Sequence, residues 1–415
     1  MVIRVKVVVQ VKIMPSPEVA SVLGATLRTA NDAANWLSGE AHRRGETSRK
    51  ALQGFAYHDL KRRGLSAQPA LHVLRKVADA YTTLRANIRA GNLGKPGSKR
   101  RARAESKPIA FRPDAAQPYD DRCLSWQVDE QTVSIWTTAG RVRGVRFACS
   151  EQARKLLAEH RKGESDLVHR DGVWFLIATC EVPEAEQYEP TDFLGVDLGI
   201  VNIATTSDGK IYAGRELNRY RKRQLALRAK LQKKGTRSAK RLLKRQRHKE
   251  QRKATETNHI IAKRIVTEAE RTGRGIGMED LAGIRQRVRL RKPQRVALHS
   301  WAFAQLGQFV EYKARLAGVP VLFVDPAYTS RMCAECGHTD KLNRVSQGRF
   351  ACRSCGFVDH ADRNGSRNVR ARALELWRSG AESHAPAPAQ GAGRRSQPGS
   401  QSGSTFKPGP SGPGS

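Results

Sequence analysis

The sequence has no uninterrupted apolar run of about 18 residues, the length that a membrane-spanning helix requires. Its first residues place Arg4, Lys6 and Lys12 between valines, which predicts a strand over residues 2–13. A signal peptide needs an unbroken apolar core and a small-residue cleavage site, and this segment has neither. We therefore expect a cytoplasmic protein without a membrane partner.

Acidic residues are scarce. The chain carries 39 Asp and Glu against 75 Lys and Arg, which gives 415 residues a formal net charge of +36. A phosphate backbone is the commonest partner for such an excess, and an acidic membrane surface is the weaker alternative. The segment 219–253 concentrates this charge, because nearly half of its residues are basic and Glu250 is its one acid. We predict a helical hairpin there, broken near Gly235, that contacts a nucleic-acid backbone.

Cysteines are few, and their spacing is informative. Cys123, Cys149 and Cys180 stand alone in predicted strands, and we interpret each as a buried core thiol. The other four form two Cys-x-x-Cys pairs separated by 15 residues: Cys333, Cys336, Cys352 and Cys355. Four thiolates complete a tetrahedral Zn²⁺ site, so we predict a structural zinc ion. A redox pair is the alternative.

Composition and periodicity predict an α+β multidomain chain. Apolar residues at helical spacing favour a helical insertion over 15–105, and short strands between turns follow over 106–188. Residues 1–14 and 106–188 would then form one β-barrel. From residue 193 a three-stranded meander predicts an RNase H-like domain. Residues 381–415 are dominated by Ala, Pro, Gly and Ser, and we expect them to be disordered.

Three acids lie at the ends of predicted strands or at the start of a predicted helix in the region from residue 193 onwards. Asp197 and Glu279 each end an apolar strand, and Asp362 lies just after the cysteine pairs at the start of a predicted helix. Taken singly, they could be a turn acid, a surface acid and a helix N-cap. Taken together, converging carboxylates would hold two Mg²⁺ ions that activate water and stabilise the leaving oxygen of a phosphodiester.

These motifs resemble the TnpB family, the transposon-associated relatives of type V CRISPR effectors. The matching segments are Gly195-Val196-Asp197-Leu198-Gly199, Met278-Glu279-Asp280-Leu281, Tyr328-Thr329-Ser330, the two Cys-x-x-Cys-Gly pairs and His360-Ala361-Asp362-x-Asn364. The family pattern often has Gln where this chain has Arg331, and Ala-Ala where it has Gly365-Ser366; neither difference removes a carboxylate.

The resemblance implies an RNA-guided, magnesium-dependent DNA endonuclease. In that interpretation Asp197, Glu279 and Asp362 are the catalytic acids of a RuvC-like domain formed by residues 189–331 and 357–380. The cysteines belong to a zinc-binding element over 332–356. The barrel corresponds to the family's wedge domain and the insertion 15–105 to its recognition domain. The implied partners are a guide RNA and a target DNA, and we expect the protein to associate with the nucleoid when it is bound to DNA.

Three alternatives stay open at this point. A compact type V CRISPR effector would share the same fold and chemistry, and its genomic context would differ. A guided DNA-binding regulator would bind without cutting, and a transposase proper would join strands. The sequence does not specify the guide RNA, the motif flanking the target or the oligomeric state.

Overall fold

The computed structural model describes residues 3–246, 248–281 and 303–380. Residues Lys6–Val182 form one compact unit, and the described chain from Pro183 onwards, with residues 3–5, forms a second. In these described ranges, every helix is too short or too polar to cross a membrane. The predicted disordered tail, residues 381–415, lies outside the described residues.

A seven-stranded sheet organises the first unit. Its strands are β1 (Arg4–Ile13), β2 (Gln117–Tyr119), β3 (Leu124–Gln127), β4 (Thr132–Thr137), β5 (Gly140–Ala148), β6 (Arg161–Arg170) and β7 (Val173–Pro183). Their order is β2-β6-β7-β1-β5-β4-β3. Only residues 120–123 connect the two end strands, so the predicted barrel is a nearly closed sheet. Alternate residues of β1, including Val9, Val11 and Ile13, enter its core, as the valine-rich pattern predicts.

Four helices lie between β1 and β2, where the sequence predicts a helical insertion. They are α1 (Pro17–Arg44), α2 (Arg49–Arg62), α3 (Ala67–Arg89) and α4 (Lys99–Glu105). The Ser16 hydroxyl caps α1 by accepting the Val19 N–H at 3.3 Å. The first three helices bury Ala and Leu faces in a core of their own. This burial of small apolar side chains makes the insertion a packed bundle.

The region 106–188 is less uniformly β than the sequence predicts. It contains helix α5 (Glu151–His160), whose N-cap Ser150 accepts the Ala153 N–H. Of the three lone cysteines, Cys123 and Cys180 are buried as predicted, while Cys149 is only partly buried. Cys149 differs because it lies beyond the end of β5, in the turn that leads into α5.

The second unit contains a five-stranded mixed sheet. Its strands are β8 (Phe193–Asp197), β9 (Asn202–Thr206), β10 (Ile211–Ala213), β11 (Gly275–Glu279) and β12 (Val321–Val324), in the order β10-β9-β8-β11-β12. The first three form the predicted antiparallel meander. Strands β8, β11 and β12 are parallel, so β8 and β11 end at the same edge of the sheet.

In the described part of this unit, five α-helices accompany the sheet: α6 (Arg215–Lys234), α7 (Arg237–Gln246), α8 (Lys249–Arg271), α9 (Phe303–Ala317) and α10 (Ala361–Ser379). The predicted basic hairpin is α6 and α7, and it turns at Gly235, which has a left-handed φ of 64°. Leu194 and Val196 of β8 pack with α8 and α9 in the main core of this unit. Their neighbour Phe193 instead packs with α10, so helices cover both faces.

Two glycines let α10 lie directly against the sheet. Gly195 and Gly277 are paired neighbours on β8 and β11. A Cβ atom at Gly195 would lie 2.0 Å from the Ser366 carbonyl oxygen, and one at Gly277 would lie 2.7 Å from the Ala373 Cβ. Side chains alternate between the faces of a strand, so Asp197 and Glu279, two positions further along, share the face that α10 covers.

We predict that Gly195→Ala destabilises the protein by about 3 kcal/mol or more, because overpacking forces α10 away from β8. Gly307→Ala in α9 is the matched control. Its added Cβ meets a nearest atom at 3.9 Å, and removing a helical glycine should stabilise by about 0.5–1 kcal/mol. Thermal or denaturant unfolding measures both. Equal stability of the two variants would contradict this account of the helix–sheet contact.

Candidate functional site

The three predicted acids lie around one place at the edge of the second sheet. Asp197 is the last residue of β8, Glu279 is the last residue of β11, and Asp362 is in the first turn of α10. The register pairs Val196 with Met278, which places Asp197 beside Glu279. Their oxygen atoms do not all lie within 4.8 Å of one another.

Glu279 and Asp362 are buried, Asp197 is partly buried, and the three carboxylates disfavour one another's negative charge. Glu279 is 8% exposed and Asp362 is 3% exposed. Burial, together with the carboxylates of Glu279 and Asp362, raises the pKa of Asp197 well above its ordinary value. Burial also raises the pKa of Glu279, against the opposing effect of a hydrogen bond from Thr329. Nearby carboxylates raise one another's pKa because each disfavours the other's negative charge, and a cation between them would remove that penalty.

Local contacts fix two of the acids in place. The Thr329 hydroxyl donates to Glu279 Oε1 at 2.6 Å. The Asn202 side-chain amide donates to Asp362 Oδ2 at 2.9 Å, and the Arg344 guanidinium donates to Asp362 Oδ1 at 3.1 Å. Each of these contacts fixes the orientation of a carboxylate.

Arg344 is a positive charge that acts on all three acids. Besides its ion pair with Asp362, it lowers the pKa of both Asp197 and Glu279. Its side chain comes from the segment between the two cysteine pairs. Positive charge inside an acid cluster partly offsets the repulsion there and is suited to a phosphate group.

The structure settles two of the single-residue alternatives. Glu279 is buried, so it is not a surface acid. The N-cap of α10 is His360, whose Nδ1 accepts the Asp362 N–H at 3.3 Å. Asp362 is therefore inside the first turn and does not cap the helix.

The four clustered cysteines have the geometry of a tetrahedral metal site. Their sulfur atoms lie within 4.8 Å of one another. The Sγ atoms of Cys333 and Cys355 are 3.7 Å apart, and those of Cys336 and Cys352 are 3.6 Å apart. A tetrahedral zinc with Zn–S bonds of about 2.3 Å separates its sulfurs by about 3.8 Å. The donor set and the spacing therefore fit Zn²⁺.

Two similar turns present these sulfurs. In each, the glycine after the second cysteine donates its N–H to the first cysteine's carbonyl, from Gly337 to Cys333 and from Gly356 to Cys352. Both glycines have a φ of 73°, a left-handed conformation that favours glycine. The repeated Cys-x-x-Cys-Gly motif is thus a repeated backbone turn. Backbone N–H groups of Cys355 and Ser354 lower the pKa of Cys352, which favours the thiolate that binds metal.

Buried asparagines attach the cysteine-rich element to α10. Asn364 donates to the Met332 carbonyl at 2.8 Å and accepts the Ala334 N–H at 3.0 Å. Asn368, one turn later, donates to the carbonyls of Thr329 and Met332. The helix that carries Asp362 therefore also holds the first cysteine turn and the residue that orients Glu279.

Sequence reasoning missed Arg344 and Asn368 as parts of this site. Arg344 is one arginine in a basic chain, and nothing in its spacing distinguishes it. Asn368 had a usable signal, because Asn364 and Asn368 are four positions apart and therefore lie on one helix face. Two buried asparagines at that spacing indicate that their side chains bind backbone groups of a neighbouring segment.

Two family models match separate parts of the chain. A model described as "Probable transposase" matches residues 178–282, which include Asp197 and Glu279. A model described as "Cas12f1-like, TNB domain" matches residues 303–369, which include Asp362 and the four cysteines.

Three of the similar proteins show how much of the chain is matched. The chain is 27% identical over 345 residues to the CRISPR-associated endodeoxyribonuclease Cas12f1 of Sulfoacidibacillus thermotolerans, covering 77% of this chain and 80% of that protein. It is 31% identical over 221 residues to the putative RNA-guided DNA endonuclease InsQ of Escherichia coli, covering 48% and 54%. It is 27% identical over 255 residues to a TnpB-like protein of Methanocaldococcus jannaschii, covering 58% and 90%.

A solved structure shows the same kind of fold. The cryo-EM structure of a Cas12f1–sgRNA–target DNA complex contains a chain that superposes with a TM-score of 0.52 at 12% identity, covering 88% of this chain and 99% of that one. The protein therefore has an α+β fold similar to that of Cas12f effectors. Its sequence resemblance to the TnpB family is confirmed, and the same comparisons relate it to Cas12f1.

We predict that Cys352→Ser loses one zinc ion per chain and lowers the melting temperature, because three thiolates and a hydroxyl make a weaker site and metal binding stabilises the folded element. Metal analysis by mass spectrometry and thermal unfolding measure the two effects. Cys149→Ser, a partly exposed cysteine outside the cluster, is the control. A parent protein without zinc, or a variant with unchanged melting, would contradict the assignment.

We predict that Asp197→Asn stabilises the magnesium-free protein at pH 7.5, by on the order of 1 kcal/mol. A raised carboxyl pKa means that the folded state loses stability as pH rises from the ordinary value of 3.8 through the raised one. The gain from the amide should therefore shrink as pH falls towards 4. Thermal melts across this range in magnesium-free buffer measure it.

Asp208→Asn is the control of opposite sign for this prediction. A hydrogen-bonded ion pair with Arg274 lowers the pKa of Asp208, so this variant should lose stability, by about 1 kcal/mol at most. A destabilised Asp197→Asn protein would contradict the proposed repulsion among the three acids.

Proposed function

We propose that this protein is an RNA-guided, magnesium-dependent DNA endonuclease of the TnpB type that hydrolyses phosphodiesters at a RuvC-like site. The observation that carries the proposal is the convergence of Asp197, Glu279 and Asp362 from two parallel strands and one helix. Buried like charges are costly unless something compensates them. Carboxylates are ligands that Mg²⁺ prefers. Bound Mg²⁺ would compensate the repulsion among the three acids, which explains why the fold brings them together.

Sequence comparison supports the same class of activity. The relatives named above are an endodeoxyribonuclease and a putative RNA-guided DNA endonuclease, and the two matched family segments contain every acid and cysteine of the proposed sites. We accordingly propose a RuvC-like domain over 189–331 and 357–380, with a zinc-binding element over 332–356. We propose wedge-like and recognition domains over 1–14 with 106–188 and over 15–105.

The chain's own residues have definite tasks in this proposal. When bound, Mg²⁺ would activate water and stabilise the leaving oxygen of the phosphodiester. Asp197, Glu279 and Asp362 would hold it. Thr329 and Asn202 orient two of these carboxylates, and the Arg344 guanidinium can bind a phosphate oxygen of the strand that is cut.

The zinc ion that we propose for the four cysteines would be structural. Its four ligands leave no position for water or substrate. Asn364 and Asn368 connect the first cysteine turn to α10. A zinc-stabilised element would therefore keep the Arg344 side chain in contact with Asp362.

A guide RNA and a target DNA are the proposed partners, and the basic hairpin is suited to their backbones. Most Lys and Arg side chains on α6 and α7 are exposed, and Glu216 is the one acid in the described residues of these two helices. Exposed charge of a single sign binds phosphate with little dependence on sequence. We propose that base pairing with the guide supplies specificity, as in other RNA-guided effectors.

A compact type V CRISPR effector is the second candidate. The match to the Cas12f1-like TNB model and the coverage of 80% of a Cas12f1 protein favour it. It would use the same residues, so the protein structure does not separate the two candidates. A guided regulator that does not cut is less well supported because all three acids are present. A transposase that joins strands is less well supported because the cysteine pairs lie just before Asp362, which suits the guided nuclease better.

Sequencing of RNA that co-purifies with the protein from its native locus is the test of the guided class. A single enriched species of defined length is the expected result. If that RNA maps beside a transposon end, it supports the TnpB type, and if it maps within a repeat array, it supports the CRISPR effector. Heterogeneous background RNA alone would overturn the guided proposal.

We predict that Glu279→Ala lowers the rate of DNA cleavage by about 10³-fold or more, because loss of one carboxylate removes several kcal/mol of metal-dependent stabilisation. Binding of the co-purified RNA should be unchanged, since Glu279 is a buried acid and is not one of the exposed basic residues that we propose to bind RNA. Glu311→Ala in α9, a half-buried acid outside the cluster, is the control. Cleavage at the parental rate would refute the role of Glu279.

A further inference from the structure

A second cluster of metal-binding residues lies in the first unit, far along the chain from the proposed nuclease site. His72 projects from α3, and Asp120 and Cys123 belong to the tight connection between β2 and β3. A ring nitrogen of His72, a carboxylate oxygen of Asp120 and the Cys123 sulfur all lie within 4.8 Å of one another. Among the described residues, the only other such group of three or more is the four-cysteine set.

The histidine of this cluster is buried without a hydrogen bond for one ring nitrogen. His72 is 2% exposed, and its Nε2 has no hydrogen-bond partner within the described chain. That nitrogen is 3.6 Å from Asp120 Oδ1, which is too long for a hydrogen bond. Buried ring nitrogens are normally satisfied, so an unpartnered one that faces a carboxylate and a thiol indicates a missing ligand.

We propose that His72, Asp120 and Cys123 bind a divalent transition-metal ion, with Zn²⁺ the best match to their chemistry. Imidazole, thiolate and carboxylate are the three ligand types of protein zinc sites. Tetrahedral coordination with bonds of about 2.0–2.1 Å would separate the nitrogen and oxygen ligands by about 3.4 Å. The observed separation of 3.6 Å needs only a small adjustment to reach it. The proposal does not depend on the proposed nuclease function.

The surroundings of the cluster support a metal ion over a simple polar contact. The Asp120 carboxylate also accepts the Cys123 N–H at 3.2 Å and a hydrogen bond from the Gln68 side chain, which fix its orientation. Oriented carboxylates of this kind are typical of metal sites. The buried Tyr119 hydroxyl, which neighbours Cys123, is also unpartnered among the described residues. It is available to bond a water molecule at a fourth coordination position.

The ion would cross-link two parts of the first unit. His72 belongs to helix α3 of the helical insertion. Asp120 and Cys123 lie in the connection between β2 and β3, the two end strands of the seven-stranded sheet. A metal bond between them would join the α3 helix to that connection. We therefore expect the melting of this unit to depend on the metal.

The test is the zinc content of the full-length protein, loaded with excess Zn²⁺ and dialysed. The parent should retain two zinc ions per chain, and both His72→Asn and Cys123→Ala should retain one. Cys180→Ala is the matched control, because Cys180 is also a buried cysteine of this sheet and lies outside the cluster; it should retain two. A parent with one zinc, or cluster variants with two, would overturn the proposal.

A spectrum of the parent keeps the proposal testable if the variants fail to fold. Co²⁺ replaces Zn²⁺ in tetrahedral sites and reports thiolate ligands by charge-transfer absorption. The chain should bind two Co²⁺ ions, one with the strong absorption of four thiolates and one with the weaker absorption of a single thiolate. A second equivalent that adds no thiolate absorption would exclude Cys123 as a ligand and overturn the site.

Discussion

The close contact between α10 and the parallel strands β8 and β11 is the constraint on which the acid cluster depends. Gly195 and Gly277 remove the side chains that would hold the helix away, and Ser366 places its backbone where a Cβ atom would otherwise be. Two positions further along each strand, on the same face, the chain carries Asp197 and Glu279. The glycines thus determine where the helix lies, and the helix determines how near Asp362 comes to the other two acids.

The same helix links two opposing energetic effects. Its first turn brings a third carboxylate into a buried, negatively charged place, which is unfavourable without a cation. Its next turns provide Asn364 and Asn368, which bind the backbone of the cysteine-rich element and so position Arg344. Favourable hydrogen bonds, together with the zinc ion that we propose for the four cysteines, would therefore hold together an arrangement in which the three acids repel one another. Sites that react with charged groups commonly combine unfavourable electrostatics with stabilising contacts around them.

The sequence predicted features that depend on local patterns. The meander from Phe193 to Ala213, the basic hairpin with its turn at Gly235 and the spacing of the four cysteines all follow from periodicity and motif. Helix α5 was missed because it is short and lies among strands, although Ser150 was a usable start signal. Arg344 and the cluster of His72, Asp120 and Cys123 could not be predicted, because their residues come together only through tertiary packing and no short-range pattern marks them.

The order of the chain has a consequence for when the acid cluster can exist. Asn202 and Asp362 are in contact although 160 positions separate them, and α10 is the last described element of the protein. A ribosome releases the meander before α10, and domains fold progressively as the chain emerges. Asp197 and Glu279 are therefore made long before their third partner. The newly made chain stays without a complete cluster until α10 has emerged, so translation products that end before Asp362 cannot assemble it.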